Sequence, residues 1–148
     1  MSCLSMINRE KVFVGNVLKL FISKESVQKI FLDEQGVIND KFYGQEIDRS
    51  VLISSIESYK IANEKDIVLK LGDLGENILM DYNPYHLTRG KQIQIGDVIL
   101  EISQHCTLCK SLTKLDNRLP KLLKNDRGIF AKIIKAGEIK YRDKIYIF

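Results

Sequence analysis

The stretch Gln92-Ile93-Gln94-Ile95-Gly96-Asp97-Val98-Ile99-Leu100-Glu101-Ile102 indicates what kind of fold the chain adopts. Ile93 and Ile95 alternate with glutamines, which is the period of a half-buried β-strand. Gly96-Asp97 then interrupts the run before a second apolar segment, Val98–Ile102. Short strands separated by Gly and Asp turns are therefore the dominant pattern of this region.

The same pattern extends outward in both directions along the chain. Further strands are predicted at Val12, Val14 and Val17–Ile22, at Val27–Leu32, at Ile129–Ile134 and at Lys144–Phe148. Helical signals are fewer and cover Ile56–Ala62, Cys109–Leu115 and Lys121–Lys124 near Pro120, where a proline suits a first helical turn. Many short strands with few helices favour a mostly β barrel or sandwich, of about six to eight strands with two or three short helices.

Length and composition fit a single globular domain spanning residues 1–148. The chain is 45% hydrophobic and 28% charged, which is ordinary for a protein with a sizeable core. Its net charge of +4 favours anionic ligands only mildly. Nucleic-acid binding would require aromatic residues interleaved with basic ones on one face, and Tyr141-Arg142 and Tyr59-Lys60 do not form such a pattern.

Location and redox state follow from the absence of sorting signals in the sequence. No apolar stretch is long enough to span a bilayer, and the first fifteen residues lack the basic and apolar regions of a signal peptide. We therefore expect a cytoplasmic protein that does not associate with membranes. In that compartment its three cysteines, Cys3, Cys106 and Cys109, are expected to be reduced.

Four segments form an ordered set of landmarks. They are Gly36 to Asp40 with Gly44 and Asp48-Arg49-Ser50-Val51-Leu52-Ile53; Gly72-Asp73-Leu74-Gly75-Glu76-Asn77-Ile78; Ile95-Gly96-Asp97 through Gln104, with Cys109 five residues further on; and Asp126-Arg127-Gly128-Ile129-Phe130 through Ile139. This series resembles the MOSC domain family, named after the C-terminal part of molybdenum-cofactor sulfurases, and specifically its small stand-alone bacterial type. Two positions depart from the family pattern: Arg142 replaces a usual glycine, and Leu108 replaces a proline that is frequent before the key cysteine.

The resemblance implies a barrel-like β fold and sulfur or molybdenum-cofactor (molybdopterin) chemistry through one cysteine. Some relatives reduce N-hydroxylated compounds with that cofactor bound, and others are sulfurase C-terminal domains. This chain has no room for the pyridoxal-phosphate domain of a sulfurase, so its partner is expected to be a separate sulfur donor or molybdenum enzyme. The alternative is a non-enzymatic barrel module that docks onto another molybdenum-cofactor protein.

Cys109 is the residue expected to carry this chemistry, as a catalytic thiolate that ligates molybdenum or as a persulfide. A free cysteine is most often a small buried hydrophobic residue. Here it follows a strand and is predicted to open a helix, and both the positive end of the helix and the neighbouring Lys110 favour the thiolate. It also occupies the family position.

Cys106 lies three residues before Cys109 and is a possible second thiol. It has three interpretations: a relay or resolving thiol, half of a zinc site with His105, or an incidental cysteine. A structural zinc site usually requires four ligands, and only His86 or Cys3 could complete this one. We therefore expect no structural zinc.

The remaining candidate residues would surround a cofactor. Arg49, Arg127 and Lys132 are candidate anion contacts, because guanidinium groups suit the phosphate of a molybdopterin. Glu76 and Asn77 lie in a glycine-rich turn that is expected beside the cofactor, with Asn77 more structural than catalytic. Gln104 is expected to bind the cofactor or orient the cysteine loop, and His86 is expected to be a loop residue. Barrels gather ligand groups at one mouth, so an open pocket should be lined by Gly75–Asn77, the Cys109 loop and Arg49 or Arg127.

Overall fold

The computed structural model describes residues 10–106 and 109–148, without the side chains of residues 109–111. Its strands are β1 (Val12–Ile22), β2 (Glu25–Val27), β3 (Lys29–Asp33), β4 (Gly36–Val37), β5 (Val51–Ser55), β6 (Ile78–Met80), β7 (Gln92–Ile95), β8 (Val98–His105), β9 (Ile129–Lys135), β10 (Gly137–Lys140) and β11 (Lys144–Ile147). Its helices are α1 (Ile56–Glu64), α2 (Cys109–Leu115) and α3 (Leu119–Leu122), with a 3-10 turn at Ile47–Arg49. Cys3 and Leu108 lie outside the described residues.

Seven of the described strands close into a β-barrel. The strands follow each other around the barrel in the order β1, β6, β5, β9, β8, β7 and β11, and β11 pairs with β1 to complete the circle. Each pairing is antiparallel except that of β5 with β6, which is parallel. The expected mostly β barrel with two or three short helices is confirmed.

A small sheet of β10, β3 and β4 covers part of the barrel. Its inward side chains, Ile30, Leu32, Val37 and Ile139, belong to the same buried cluster as the barrel interior. The prediction of a single strand over Val27–Leu32 is wrong, because the chain changes sheets at Gln28. Residues before Gln28 pair with β1, those after it pair with β10, and the Gln28 oxygen accepts a hydrogen bond from Tyr141 N–H.

The hairpin of β7 and β8 illustrates how the sequence pattern produces the barrel. Ile93 and Ile95 are fully buried while the alternating Gln92 and Gln94 are half-buried, as the alternation predicts. Ile93 lies opposite Leu100 on β8, and both belong to the main core. Burying one such side chain contributes about 1.5–3 kcal/mol, so a one-residue slip in register would be strongly disfavoured.

The helices pack against one side of the barrel and form a second, smaller core. Ser55 caps α1 by accepting a hydrogen bond from Glu57 N–H, as expected for the serines preceding that helix. Ala62, Ile67, Leu112, Leu119 and Leu123 are buried together where the three helices meet. Among the described residues, no helix has both the length and the apolar character needed to cross a membrane.

Candidate functional site

A pocket of about 230 Å³ lies between this helical layer and one mouth of the barrel. Many separate parts of the chain line it: the β1–β2 turn, the loop after β4, the 3-10 turn, strand β5, the loop before β6, the end of β8, helix α2, the segment after α3 and the start of β9. The predicted residues that it brings together are Arg49, Gly75, Glu76, Asn77, Cys106 and Arg127. These residues are far apart in sequence, so the pocket is a product of the barrel topology.

The loop before β6 forms one wall of the pocket and requires glycine where it turns. Gly72 has φ +98°, and a Cβ at this position would lie 2.8 Å from the ring of Phe21. Gly75 has φ +86°, which also lies in the left-handed region. The glycines thus let the backbone reverse tightly beside β1 and turn Glu76 and Asn77 toward the barrel.

Asn77 uses its whole side-chain amide to join the pocket wall to the barrel. Its Oδ1 accepts a hydrogen bond from Leu52 N–H at 3.1 Å. Its Nδ2 donates to the Phe21 oxygen at 3.3 Å and to Asp40 Oδ1 at 3.1 Å. The residue is only 7% exposed. Asn77 therefore lines the pocket, but its amide groups are engaged in holding three segments together.

Glu76 also lines the pocket, and its carboxyl group lies in a polar centre around Tyr59 of α1. Tyr59 donates its hydroxyl hydrogen to Glu76 Oε2 at 2.6 Å, while its oxygen accepts from Gly72 N–H at 3.0 Å and Leu74 N–H at 3.3 Å. Burial raises the pKa of the Tyr59 hydroxyl far above its ordinary value, and the adjacent Glu76 raises it further. Burial also raises the pKa of Glu76, against the opposing hydrogen bonds from the Tyr59 hydroxyl and from the backbone of Glu76 and Gly72.

Four basic side chains line the pocket, together with the acidic residues Asp40, Asp73 and Glu76. Arg49 stacks over the ring of Phe130 with 5.6 Å from its Cζ to the ring centroid, and its Nε lies 3.5 Å from Glu46 Oε2. Arg127 donates from Nη2 to the Pro120 oxygen at 2.8 Å, which holds it beside α3. Lys24 and Lys41 line the same pocket. This arrangement suits a ligand that carries negative charge.

The end of β8 brings one thiol into the pocket. Cys106 is half-buried, lines the pocket and donates its backbone N–H to the Gly128 oxygen at 3.0 Å. The helix expected at Cys109–Leu115 is present as α2, and the backbone of Cys109 is its first described residue. The side chains of Cys109 and Lys110 lie outside the described residues.

The neighbouring histidine does not share the environment of Cys106. His105 is exposed and donates from Nε2 to the Tyr85 oxygen at 2.6 Å. Among the described residues, no three His, Cys, Asp or Glu side chains are grouped closely enough to hold a metal ion. Cys3 and the Cys109 side chain are not part of that set, so the expected absence of structural zinc stays a prediction.

Three other candidate residues lie away from the pocket lining. Gln104 is on β8 opposite Phe130 of β9, and it is half-buried. Lys132 pairs with Glu101, with 3.4 Å between Nζ and Oε2. His86 is a loop residue whose Nε2 lies 2.8 Å from the Tyr82 hydroxyl. In the described part of the chain, none of the three contributes to the pocket.

The sequence analysis did not identify four residues that shape this site: Lys24, Lys41, Asp40 and Tyr59. The buried Asp40 carboxylate accepts hydrogen bonds from Ser23 N–H at 2.8 Å and from the Asn77 amide. Asp40 ends the first family landmark, which was a usable signal. The two lysines and Tyr59 lie outside every landmark. Only folding brings the lysines to the pocket and Tyr59 to the Glu76 carboxyl group behind its wall.

Comparison with solved structures supports the same architecture. The YuaD protein from Bacillus subtilis superimposes with a TM-score of 0.81 at 18% identity, covering 93% of this chain and 97% of that one. YiiM from Escherichia coli gives a TM-score of 0.71 at 19% identity, covering 90% of this chain and 69% of that one. These likenesses concern the fold.

Comparison at the level of sequence identifies the family of the chain. No curated protein matches the chain. The family model described as "MOSC domain" matches residues 13–146, which include every element from β1 to β11 except the ends of the outermost two. The chain therefore belongs to the MOSC domain family, which is associated with the biology of the molybdenum cofactor.

Proposed function

We propose that this protein binds an anionic pterin cofactor of the molybdopterin type in the described pocket and acts on it through Cys109. One observation carries the proposal: remote family landmarks converge on one pocket, whose charged lining contains four basic and three acidic residues. The strand end that leads to Cys109 contributes Cys106 to the same lining.

The chemistry of the lining fits such a cofactor in two respects. Arg49, Arg127, Lys24 and Lys41 supply cationic donors for a phosphate group, and guanidinium groups can bind phosphate with two parallel hydrogen bonds. Apolar side chains, including Leu52, Leu74, Leu112, Leu123 and Phe130, supply a surface for a flat ring system. When bound, the cofactor would supply molybdenum for redox or sulfur chemistry, and the protein would supply its binding site and a soft sulfur ligand.

The proposed role of Cys109 requires a thiolate that a bulky partner can reach. In sulfur transfer, the thiolate attacks the terminal sulfur of a donor persulfide, R–S–SH. A new S–S bond forms on Cys109, the donor S–S bond breaks, and the donor leaves as the thiolate R–S⁻. As a ligand, the same thiolate would bind molybdenum directly. Both roles place Cys109 first in importance, Cys106 second and Cys3 last.

The test is cofactor loading in a host that makes the molybdenum cofactor. Molybdenum and pterin are quantified in the purified wild-type protein and in three matched variants, Cys109→Ser, Cys106→Ser and Cys3→Ser. Persulfide loading and alkylation rate against pH are measured on the same proteins. We expect Cys109→Ser to lose molybdenum or persulfide and Cys3→Ser to behave as wild type.

Two outcomes would redirect the proposal. Full loading of Cys109→Ser together with a loss in Cys106→Ser would move the chemistry to Cys106. If neither substitution changes loading and the wild type carries no cofactor, the protein is better explained as a module that docks onto another molybdenum-cofactor protein. Arg49→Ala separates phosphate binding from sulfur chemistry, because it should weaken pterin retention and leave persulfide loading intact.

A further inference from the structure

The Glu76 carboxyl group is held in an unusual environment for a residue that lines a pocket. It is 1% exposed, and its Oε2 accepts the hydroxyl hydrogen of Tyr59 at 2.6 Å. Since the Tyr59 oxygen already accepts two backbone N–H groups, its single hydrogen is directed to Glu76. This fixes Oε2 as a hydrogen-bond acceptor and Tyr59 as its donor.

The other carboxyl oxygen, Oε1, is buried and has no hydrogen-bond partner among the described residues. A buried carboxylate with one unpaired oxygen is strongly disfavoured, because a desolvated charge requires compensating donors. The protonated acid avoids that cost, since it carries no net charge. Burial raises the pKa of Glu76 and outweighs the hydrogen bonds from Tyr59 and from the backbone of Glu76 and Gly72, which lower it; the nearby Asp73 adds a smaller upward effect.

The charges around Glu76 make its protonation state consequential for a ligand. Tyr59 of α1 and Asp73 of the same loop are the titratable groups that act on it directly. Besides Glu76, the charged residues that line the pocket, among those described, are Lys24, Asp40, Lys41, Arg49, Asp73 and Arg127. Apart from Glu76, four basic side chains thus face two acidic ones.

We infer that Glu76 controls anion binding in this pocket: its uncharged carboxyl admits an anionic ligand, and its carboxylate repels one. The inference rests on the proposed function, because it assumes that the ligand of the pocket is anionic. It makes Glu76 a specificity-determining residue of the pocket wall.

The direction of the pH dependence follows from the raised pKa. Glu76 is neutral in the folded protein below its pKa, and anion binding is strongest there. As the pH rises through that pKa the carboxylate forms, and affinity for an anion falls. By linkage, a bound anion raises the pKa of Glu76 further.

The experiment uses inorganic sulfate as the probe, because sulfate stays doubly charged across the pH range and needs no molybdenum. Sulfate affinity is measured by NMR titration of the whole chain at a series of pH values. The ¹³C shift of the Glu76 carboxyl carbon is followed in the same samples. Glu76→Gln keeps the size of the side chain without an ionisable group, and Glu64→Gln makes the same chemical change at an exposed position of α1.

We expect wild type and Glu64→Gln to lose sulfate affinity about tenfold as the pH rises, in step with the Glu76 carboxyl shift. Glu76→Gln should bind sulfate with little change over the same range. If Glu76→Gln and wild type show the same pH profile, the inference is wrong while the anionic pocket stands. If sulfate does not bind wild type at any pH, the anionic pocket fails as well. If Glu76→Gln does not fold, the wild-type protein still provides a test. The inference is wrong if the ¹³C shift of the Glu76 carboxyl carbon changes at the pH where an ordinary glutamate titrates.

Discussion

Asn77→Ala tests whether the Gly-Glu-Asn turn holds the fold or contacts a ligand. The substitution removes a side-chain amide that bonds to Leu52 N–H, the Phe21 oxygen and Asp40 Oδ1 at distances of 3.1, 3.3 and 3.1 Å. These three partners belong to β5, β1 and the loop after β4. We expect the variant to fold with a large loss of stability.

The magnitude follows from the fate of each partner. Leu52 N–H loses the acceptor supplied by the amide, and an unsatisfied buried group costs about 1–3 kcal/mol. The other two bonds contribute about 0.5–1.5 kcal/mol each, the lower value applying to Asp40, which keeps its bond from Ser23 N–H. Together these values predict a loss of roughly 2–5 kcal/mol, or a fall in Tm of about 5–20 °C for a chain of this length.

Urea and thermal unfolding followed by circular dichroism measure this loss. Asn63→Ala is the matched control, because it makes the same chemical change at an exposed position of α1 and should stay within about 0.5 kcal/mol of wild type. Asn77→Asp keeps the shape but replaces the donor with a carboxylate beside Asp40, so it should be at least as destabilising. An Asn77→Ala protein as stable as wild type, with weakened sulfate or pterin binding, would refute this reasoning and make the amide a ligand group.

Three further substitutions test the pocket and one turn. Gly128→Ala should lower the free energy of unfolding in urea by about 1–3 kcal/mol, because its Cβ would lie 2.9 Å from a backbone oxygen of β5. A variant as stable as wild type would show that this close contact does not occur. Arg142→Gly should raise the free energy of unfolding by about 0.5 kcal/mol and raise Tm slightly, because Arg142 has φ +73°, which glycine adopts more easily. A lower Tm would show that the Arg142 side chain contributes more to stability than its backbone conformation costs. Tyr59→Phe should lower the free energy of unfolding by about 1–3 kcal/mol and speed hydrogen exchange at the Gly72 and Leu74 amides. Unchanged exchange at these amides would show that they do not donate hydrogen bonds to the Tyr59 oxygen.

Periodicity identified β7, which has one face against the core, and missed β5 and β6, which are buried on both faces; it also missed the short, partly buried β10. In β7 the alternation of isoleucine and glutamine is visible in the sequence. In β5 and β6 every residue is buried, so the sequences Val51–Ser55 and Ile78–Met80 carry no alternation. These two strands form the parallel pair of the barrel, and parallel strands are typically enclosed on both faces.

The turn at Arg142 shows why a departure from the family pattern did not alter the fold. Arg142 adopts the left-handed conformation that glycine prefers, and its N–H donates to the Val17 oxygen at 3.1 Å. The Asn16 side chain donates to the Arg142 oxygen at 3.2 Å, which holds the turn from the other side. Tertiary hydrogen bonds thus impose the conformation that local propensity disfavours. A single sequence does not display such compensation.

The site was predictable where its residues lie in landmarks and not where folding alone assembles it. Arg49, Arg127 and the turn at Gly75 were identified because the family pattern contains them. Lys24 and Lys41 have no local signature, since a lysine in a turn is ordinarily solvated. Their approach to the pocket depends on the β1–β2 turn and the loop after β4 meeting at one barrel mouth.

Adjacent residues of the Gly-Glu-Asn turn have different physical roles. The Asn77 amide bonds to the barrel and to Asp40, so its substitution should act mainly on stability. The Glu76 carboxyl bonds to Tyr59 and leaves one buried oxygen without a partner among the described residues, so its effect should be mainly electrostatic. Glu76→Gln retains an acceptor for Tyr59 and removes the titration, whereas Asn77→Asp keeps the acceptor for Leu52 N–H but loses the donors to Phe21 and Asp40. The two residues are therefore separable by experiment although they are neighbours in the same motif: unfolding free energy reports on Asn77, and the pH dependence of anion binding reports on Glu76.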